Sequence, residues 1–139
     1  MRVKEIMTKN VAYINPDAVI TEAARLMQQH NVGAIPVCDQ SGVIGLLTDR
    51  DIVVRNVAHG TNPAVTKVKD IMTGNITTVA PEMGIEEVSN MMAKNQIRRV
   101  PVVENRKLVG MLSLGDLATE PLYNVEASEA LTEISRPVK

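Results

Sequence analysis

Two short stretches carry the residue types that can hold a small phosphorylated or hydroxyl-rich ligand. Thr48 and Asp51 follow Gly45, and Ser113 and Asp116 follow Gly110, both in the spacing G-x-x-[T/S]-x-x-D. In each case an apolar run gives way to an amphipathic one at the hydroxyl, which predicts a strand running into a helix N-terminus. The first N–H groups of a helix lack intrahelical partners, so such an end attracts anions. The same spacing is also a capping box, in which hydroxyl and acid satisfy those N–H groups themselves. Capping and binding are compatible, and the residues alone allow either.

Arg98 and Arg99 are a second candidate, placed just before the apolar run Val100–Val103. The pair reads either as a solvated surface pair or as donors to a phosphate, since a guanidinium presents a planar fork of N–H groups. Catalysis is not expected: the chain has no Gly-x-x-x-x-Gly-Lys-[Ser/Thr] loop and no evident nucleophile–base pair. Nor is a metal site, because Cys38 is the one cysteine and His30 and His59 lie far apart. Cys38 sits in an apolar run and reads as a small buried hydrophobe, and a lone cysteine suits a reducing compartment.

Composition narrows the partners. A net charge of -1 with mixed signs gives no broad basic field, and two tyrosines with no Phe or Trp give no base-stacking platform. Nucleic acid is therefore not an expected partner. Without a bilayer-length apolar run or a signal-type N-terminus, neither is a membrane, and the expected location is cytoplasmic.

The elements that position these residues come in duplicate. Shifting the chain by about 65 positions lays Val3, Ile6, Met7 and Thr8 on Val68, Ile71, Met72 and Thr73. Pro16 falls on Pro81, Ile20 on Ile85, Met27 on Met92, Pro36 on Pro101, Gly45 on Gly110 and Asp51 on Asp116. Each copy reads as strand, helix, hairpin and helix. In the first, Val11–Ile14 is a brief strand, and Ile20, Ala23, Ala24 and Met27 form the apolar face of a helix over about Val19–Gln29. Ala34–Cys38 and Val43–Leu47 form a hairpin. Thr48 opens a helix with Ile52, Val53 and Val57 facing inward, and Gly60 stops it. In the second copy the strand is Ile76–Val79, the helix face Ile85, Val88, Ser89 and Met92, and the hairpin Val100–Val103 with Leu108–Leu112. The expected divisions are residues 1–60, a linker at 61–67, residues 68–120, and a tail at 121–139. Asn124–Ser135 is expected to be helical, with Ala127, Ala130, Leu131 and Ile134 on one side. A unit of about 50 residues buries little apolar surface, so the two copies should pack together about an approximate two-fold axis.

With these motifs in order, the chain resembles a tandem pair of cystathionine-beta-synthase (CBS) domains, also known as a Bateman module, over roughly residues 1–120. The resemblance rests on the two Ile-Met-Thr segments, the Pro16 and Pro81 loops, Ile35–Val37 and Val100–Val102, and the two G-x-x-[T/S]-x-x-D segments. It implies an α+β fold of two β-α-β-β-α repeats and a regulatory module that binds AMP, ADP, ATP or S-adenosylmethionine in clefts between the repeats. By position, one cleft would use Ser113, Asp116, Thr8 and Ala12, with Arg98 and Arg99 reaching the phosphate. The other would use Thr48, Asp51, Thr73 and Thr77, with Gly33 and Ala34 at the arginine positions. The motif aspartates would accept from the ribose hydroxyls. The arginine-bearing cleft should favour phosphorylated ligands, and the other should be weaker or prefer a nucleoside. The resemblance also implies a homodimer through the amphipathic helices and leaves room for an effector protein. The alternative is an interaction scaffold that binds no small molecule.

Overall fold

In the computed structural model, described for residues 1–120 and 124–137, both copies of the repeat build the same series of elements. A one-turn helix comes first, α1 (Val3–Ile6) or, in the second copy, α4 (Val68–Ile71). Next is an 11-residue helix, α2 (Ile20–His30) or α5 (Ile85–Asn95). An antiparallel hairpin follows, β1 (Ala34–Asp39) with β2 (Gly42–Thr48), or β3 (Arg99–Glu104) with β4 (Lys107–Ser113). The first copy closes with α3 (Asp49–Ile52) and a π-helical turn, Val53–Val57; the second closes with α6 (Leu114–Thr119). A last helix, α7 (Asn124–Ile134), lies outside the repeat. Residues 121–123 and 138–139 of the expected tail fall outside the described residues.

The fold is mixed α+β. The chain divides into two compact units, one of Val11–Ile76 and one of Met1–Asn10 with Thr77–Lys139. Each unit thus joins the long helix and hairpin of one copy to the lead-in of the other, an exchange that the sequence repeats at residues 1–60 and 68–120 do not display. In the first unit α4 covers a core that includes Ile20, Ile35, Leu47 and Val68. In the other unit α1 covers one that includes Val3, Ile85, Met92, Val100 and Leu112.

Close approach holds the lead-ins. Thr73 bridges Leu46 and Thr8 bridges Met111, each through paired backbone hydrogen bonds of 2.8–3.0 Å. The glycine of each motif makes this possible. A Cβ on Gly45 would lie 2.8 Å from the Thr73 carbonyl oxygen, and one on Gly110 would lie 2.9 Å from that of Thr8. The proline loops hold the other end, since Lys69 N–H donates to the Pro16 carbonyl and Lys4 N–H to that of Pro81. The segment read as a linker packs too, with the Thr66 and Pro63 carbonyls accepting from Ile20 and Thr21 N–H.

Five local expectations need correction. The lead strands Val11–Ile14 and Ile76–Val79 shrink to single parallel bridges, Ile14 with Val37 and Val79 with Val102. Prolines account for this: the next ladder bonds would need N–H groups from Pro36 and Pro16, or from Pro101 and Pro81, which they lack. Ala24 is exposed; it lies on the edge of a buried stripe made by Ile20, Ala23 and Met27. Val53 and Val57 are 58% and 63% exposed while Asn56 is wholly buried, because the wider π turn rotates the inward face away from the valines. Cys38 is only half-buried, past the bulge between Val37 and Cys38 in β1. On α7, Ala127 and Ala130 are buried as expected, but Leu131 is 44% exposed, because the helix seats its alanines rather than its leucine. Among the described residues no helix is long and apolar enough to cross a membrane.

Candidate functional site

Both motifs form complete capping boxes. Thr48 Oγ1 accepts from Asp51 N–H at 3.0 Å while Asp51 Oδ2 accepts from Thr48 N–H at 3.0 Å. Ser113 and Asp116 repeat this at 3.1 and 2.8 Å. The first N–H of each helix is also committed, Asp49 to the Gly33 carbonyl at 2.9 Å and Leu114 to the Arg98 carbonyl at 2.8 Å. The expected open, anion-attracting helix ends are therefore largely self-satisfied, on helices of only four and six residues. Any anion site must rest on side chains.

Such side chains converge in the unit built on the second hairpin. Arg98 and Arg99, at the entry to β3, and Ser113, at the end of β4, line one cavity of about 530 Å³. Leu114, Gly115 and Ala118 of α6 and Ala127, Ser128 and Leu131 of α7 complete its lining. Among the described residues no carboxylate pairs with Arg98 or Arg99. Asp116 is half-buried, and one oxygen is held by Ser113 N–H. Thr8 is exposed and belongs to this unit, held through its backbone against Met111.

The equivalent positions in the other unit are chemically different. Gly33 and Ala34 replace the arginines, and Asp49 stands where Leu114 does. The Asp49 carboxylate lies over Gly33, so a Cβ there would meet its Oδ2 at 2.9 Å, and Asp49 Oδ1 accepts from Arg50 N–H. Asp51 is 7% exposed and heavily committed. Besides Thr48 N–H it receives the Thr73 hydroxyl, with Arg55 Nε 3.9 Å away. Arg55 in turn donates to the Ile71 and Met72 carbonyls at 3.2 Å. Ala12 and Thr77, both half-buried, belong to the opposite unit from the motif residues with which position grouped them.

Sequence reasoning missed Asp49, Arg55, Ser128 and Leu131. Asp49 could have been found as an acid beside the glycine at an arginine position. The α7 residues had no counterpart in the other copy to point to them. Among the described residues no three His, Cys, Asp or Glu side chains gather as a metal site would require.

The family of CBS domains matches the chain twice, at residues 3–56 and 68–123. The chain belongs to the CBS domain family. It is 47% identical over 133 residues to the CBS domain-containing protein YhcV of Bacillus subtilis, a match covering 96% of this chain and 94% of YhcV. Among solved structures it is similar to Hypoxic Response Protein I with two coordinated zinc ions, at 33% identity and a TM-score of 0.79, over 86% of this chain and 98% of that one. It is also similar to the CBS domain pair of MJ0100 in complex with 5'-methylthioadenosine and S-adenosyl-L-methionine, at 28% identity and a TM-score of 0.75, over 85% and 93% of the two chains. In YhcV and in Hypoxic Response Protein I the pair of repeats fills nearly the whole chain, with no catalytic domain attached.

Proposed function

We propose that this CBS pair is a sensor of adenosine-type phosphates, AMP, ADP or ATP, with S-adenosylmethionine as the alternative ligand. The observation that carries this reading is the convergence of Arg98, Arg99 and Ser113 on one cavity. Its volume of about 530 Å³ suits a small-molecule site. Two guanidinium forks without carboxylate partners among the described residues, and an adjacent hydroxyl, suit a phosphate. Asp116 retains one oxygen that its cap does not use, so it can accept from a ribose hydroxyl. The adenosyl ligands of the MJ0100 pair support the same ligand class.

The unit that carries Thr48, Asp51, Thr73, Gly33 and Ala34 is the weaker or nucleoside-preferring site. Its aspartate is spent on Thr48 and Thr73, and Asp49 places negative charge where the other unit has arginines. Calorimetry with AMP, ADP, ATP and S-adenosylmethionine tests the assignment. Replacing both arginines with alanine should weaken AMP by at least about tenfold. Asp116→Ala should weaken it too, while Asp51→Ala leaves it within about twofold. Equal losses in Asp51→Ala and Asp116→Ala would defeat the asymmetry.

A second reading, association through the helices, draws on Val53, Val54 and Val57, which expose apolar surface on consecutive turns. A homodimer formed there would present the sensor to an effector protein in the cytoplasm. Sedimentation of the wild type against Val57→Glu tests it, with a monomeric wild type as the opposing outcome. If the protein self-associates but no adenosine ligand shifts its melting temperature, the scaffold reading replaces the sensor.

A further inference from the structure

We propose that α7 is a ligand-responsive clamp: an anion held by Arg98, Arg99 and Ser113 also engages Ser128 and Leu131, so filling the cavity fastens α7 to its unit. The proposal rests on the sensor reading only in needing a phosphate-bearing ligand in that cavity. Three residues of α7, Ala127, Ser128 and Leu131, line the same cavity as the two arginines. The cavity stands open with α7 already seated, so a ligand can enter without displacing it. Two of the three acids of α7, Glu129 and Glu133, line a separate groove with Asn90 and Ala93 of α5, and the third, Glu126, is not among the residues lining the cavity.

The helix is seated lightly enough to respond. Among the residues of α7 whose side chains are described, the buried ones are alanines, Ala127 and Ala130, which remove little apolar area from water. Its polar anchors are Ser89 Oγ to the Glu126 carbonyl at 3.3 Å and Gln96 Nε2 to the Glu133 carbonyl at 2.9 Å. Against these, Glu126 Oε2 is buried without a hydrogen-bond donor among the described residues, which disfavours the seated state. The duplicated architecture supplies an internal comparison. Ser89 is buried beneath α7, while its counterpart Ala24 is exposed on α2. The repeat therefore folds with this helix face bare, and α7 is an addition whose docking can vary while the fold persists.

Ligand contacts made only when α7 is seated must favour the seated state, and undocking must weaken the ligand by the same factor. Hydrogen–deuterium exchange on the full chain, followed on peptides spanning residues 124–134, reads the first effect. AMP is one probe, and inorganic pyrophosphate is a second that needs no nucleoside site. Exchange should slow by about fivefold or more with a binding probe, and the slowing should vanish in the Arg98→Ala, Arg99→Ala double variant. Ala130→Glu, which undocks α7 without altering the cavity side chains of the repeat, should weaken AMP by a similar factor. If calorimetry shows AMP bound while exchange across 124–134 is unchanged or faster, the clamp is overturned and the sensor reading stands. If neither probe slows exchange, the clamp is overturned. If pyrophosphate slows it and AMP does not bind, the clamp holds and the adenosine reading falls.

Discussion

Thr73 Oγ1 lies 3.3 Å from both carboxylate oxygens of Asp51, whereas Thr8, at the matching place in the other lead-in, makes no such bond to Asp116 among the described residues. One motif aspartate therefore ties its cap to the segment just after α4, and the other, among the described residues, only closes its own cap. Asp51→Ala should cost about 2–3 kcal/mol, as a cap is lost and the Thr73 hydroxyl with it. Asp116→Ala should cost about 1 kcal/mol, and Thr73→Val a similar amount. Urea denaturation ranks the three; equal costs for the two aspartates would show that the Thr73 bond contributes nothing.

The motif glycines are there for approach rather than for ligand. A Cβ on Gly110 would meet Met7 Sδ at 2.6 Å and the Thr8 carbonyl oxygen at 2.9 Å; on Gly45 it would meet Met72 Sδ and the Thr73 carbonyl oxygen, both at 2.8 Å. Methionine can swing aside, but the backbone carbonyl belongs to a bridge. Gly110→Ala and Gly45→Ala should each destabilise by about 1–3 kcal/mol. Gly74→Ala, with nothing within 4 Å, should be neutral or stabilising by up to about 1 kcal/mol. Thermal melts of the three variants suffice.

These glycines also mark how far the sequence could be read. The repeat fixed the order of elements because Ile85, Val88, Ser89 and Met92 follow a helical period and are the buried residues of α5. The repeat by itself did not reveal that each lead-in joins the other copy's hairpin, since that pairing runs through backbone bonds and a missing Cβ, which leave no apolar period; the family resemblance did, by grouping Thr8 with Ser113 and Thr73 with Thr48. The single-bridge lead strands were legible in principle from Pro16, Pro36, Pro81 and Pro101, whose absent N–H groups end the ladder on both sides. The arginine pair was legible from its place just before the apolar run Val100–Val103, and its asymmetry from comparing the copies position by position. The α7 lining was not, because a lining formed by tertiary docking has no local signature.

The loops after Pro16 and Pro81 hold the lead-ins by charge, and this predicts an acid dependence. A hydrogen bond from Lys69 to Asp17, with Lys67 nearby, holds the Asp17 carboxyl below its usual range. Lys4, assisted by Arg2, does the same for Glu82. A carboxyl depressed in the folded state contributes stability above its ordinary value and loses it as pH falls through the folded one. The wild type should therefore melt slightly above the Asp17→Asn, Glu82→Gln double variant at neutral pH, with the gap closing below about pH 4. Both pairs are exposed, so the gap should also shrink in high salt. A gap that widened on acidification would contradict the assignment.

Asn56 supplies the last prediction, because its side chain is wholly buried yet only half satisfied. Its Nδ2 donates to Thr61 Oγ1 at 2.7 Å, that hydroxyl donates to the Asn56 carbonyl at 3.0 Å, and Oδ1 has no partner among the described residues. Removing one member of such a pair leaves the other buried and unpaired, which costs more than replacing the buried group with an apolar one of like shape. Thr61→Val should thus cost about 1–3 kcal/mol, since it strands the amide donor beside an oxygen already without a partner. Asn56→Leu removes donor and orphan together and leaves the exposed Thr61 hydroxyl to water, so it should cost less than about 1 kcal/mol. Denaturant melts of the two variants decide it. If Asn56→Leu proves the costlier, the amide is working as a packed polar key that locks the π-helical turn, and its oxygen is not the liability that its isolation indicates.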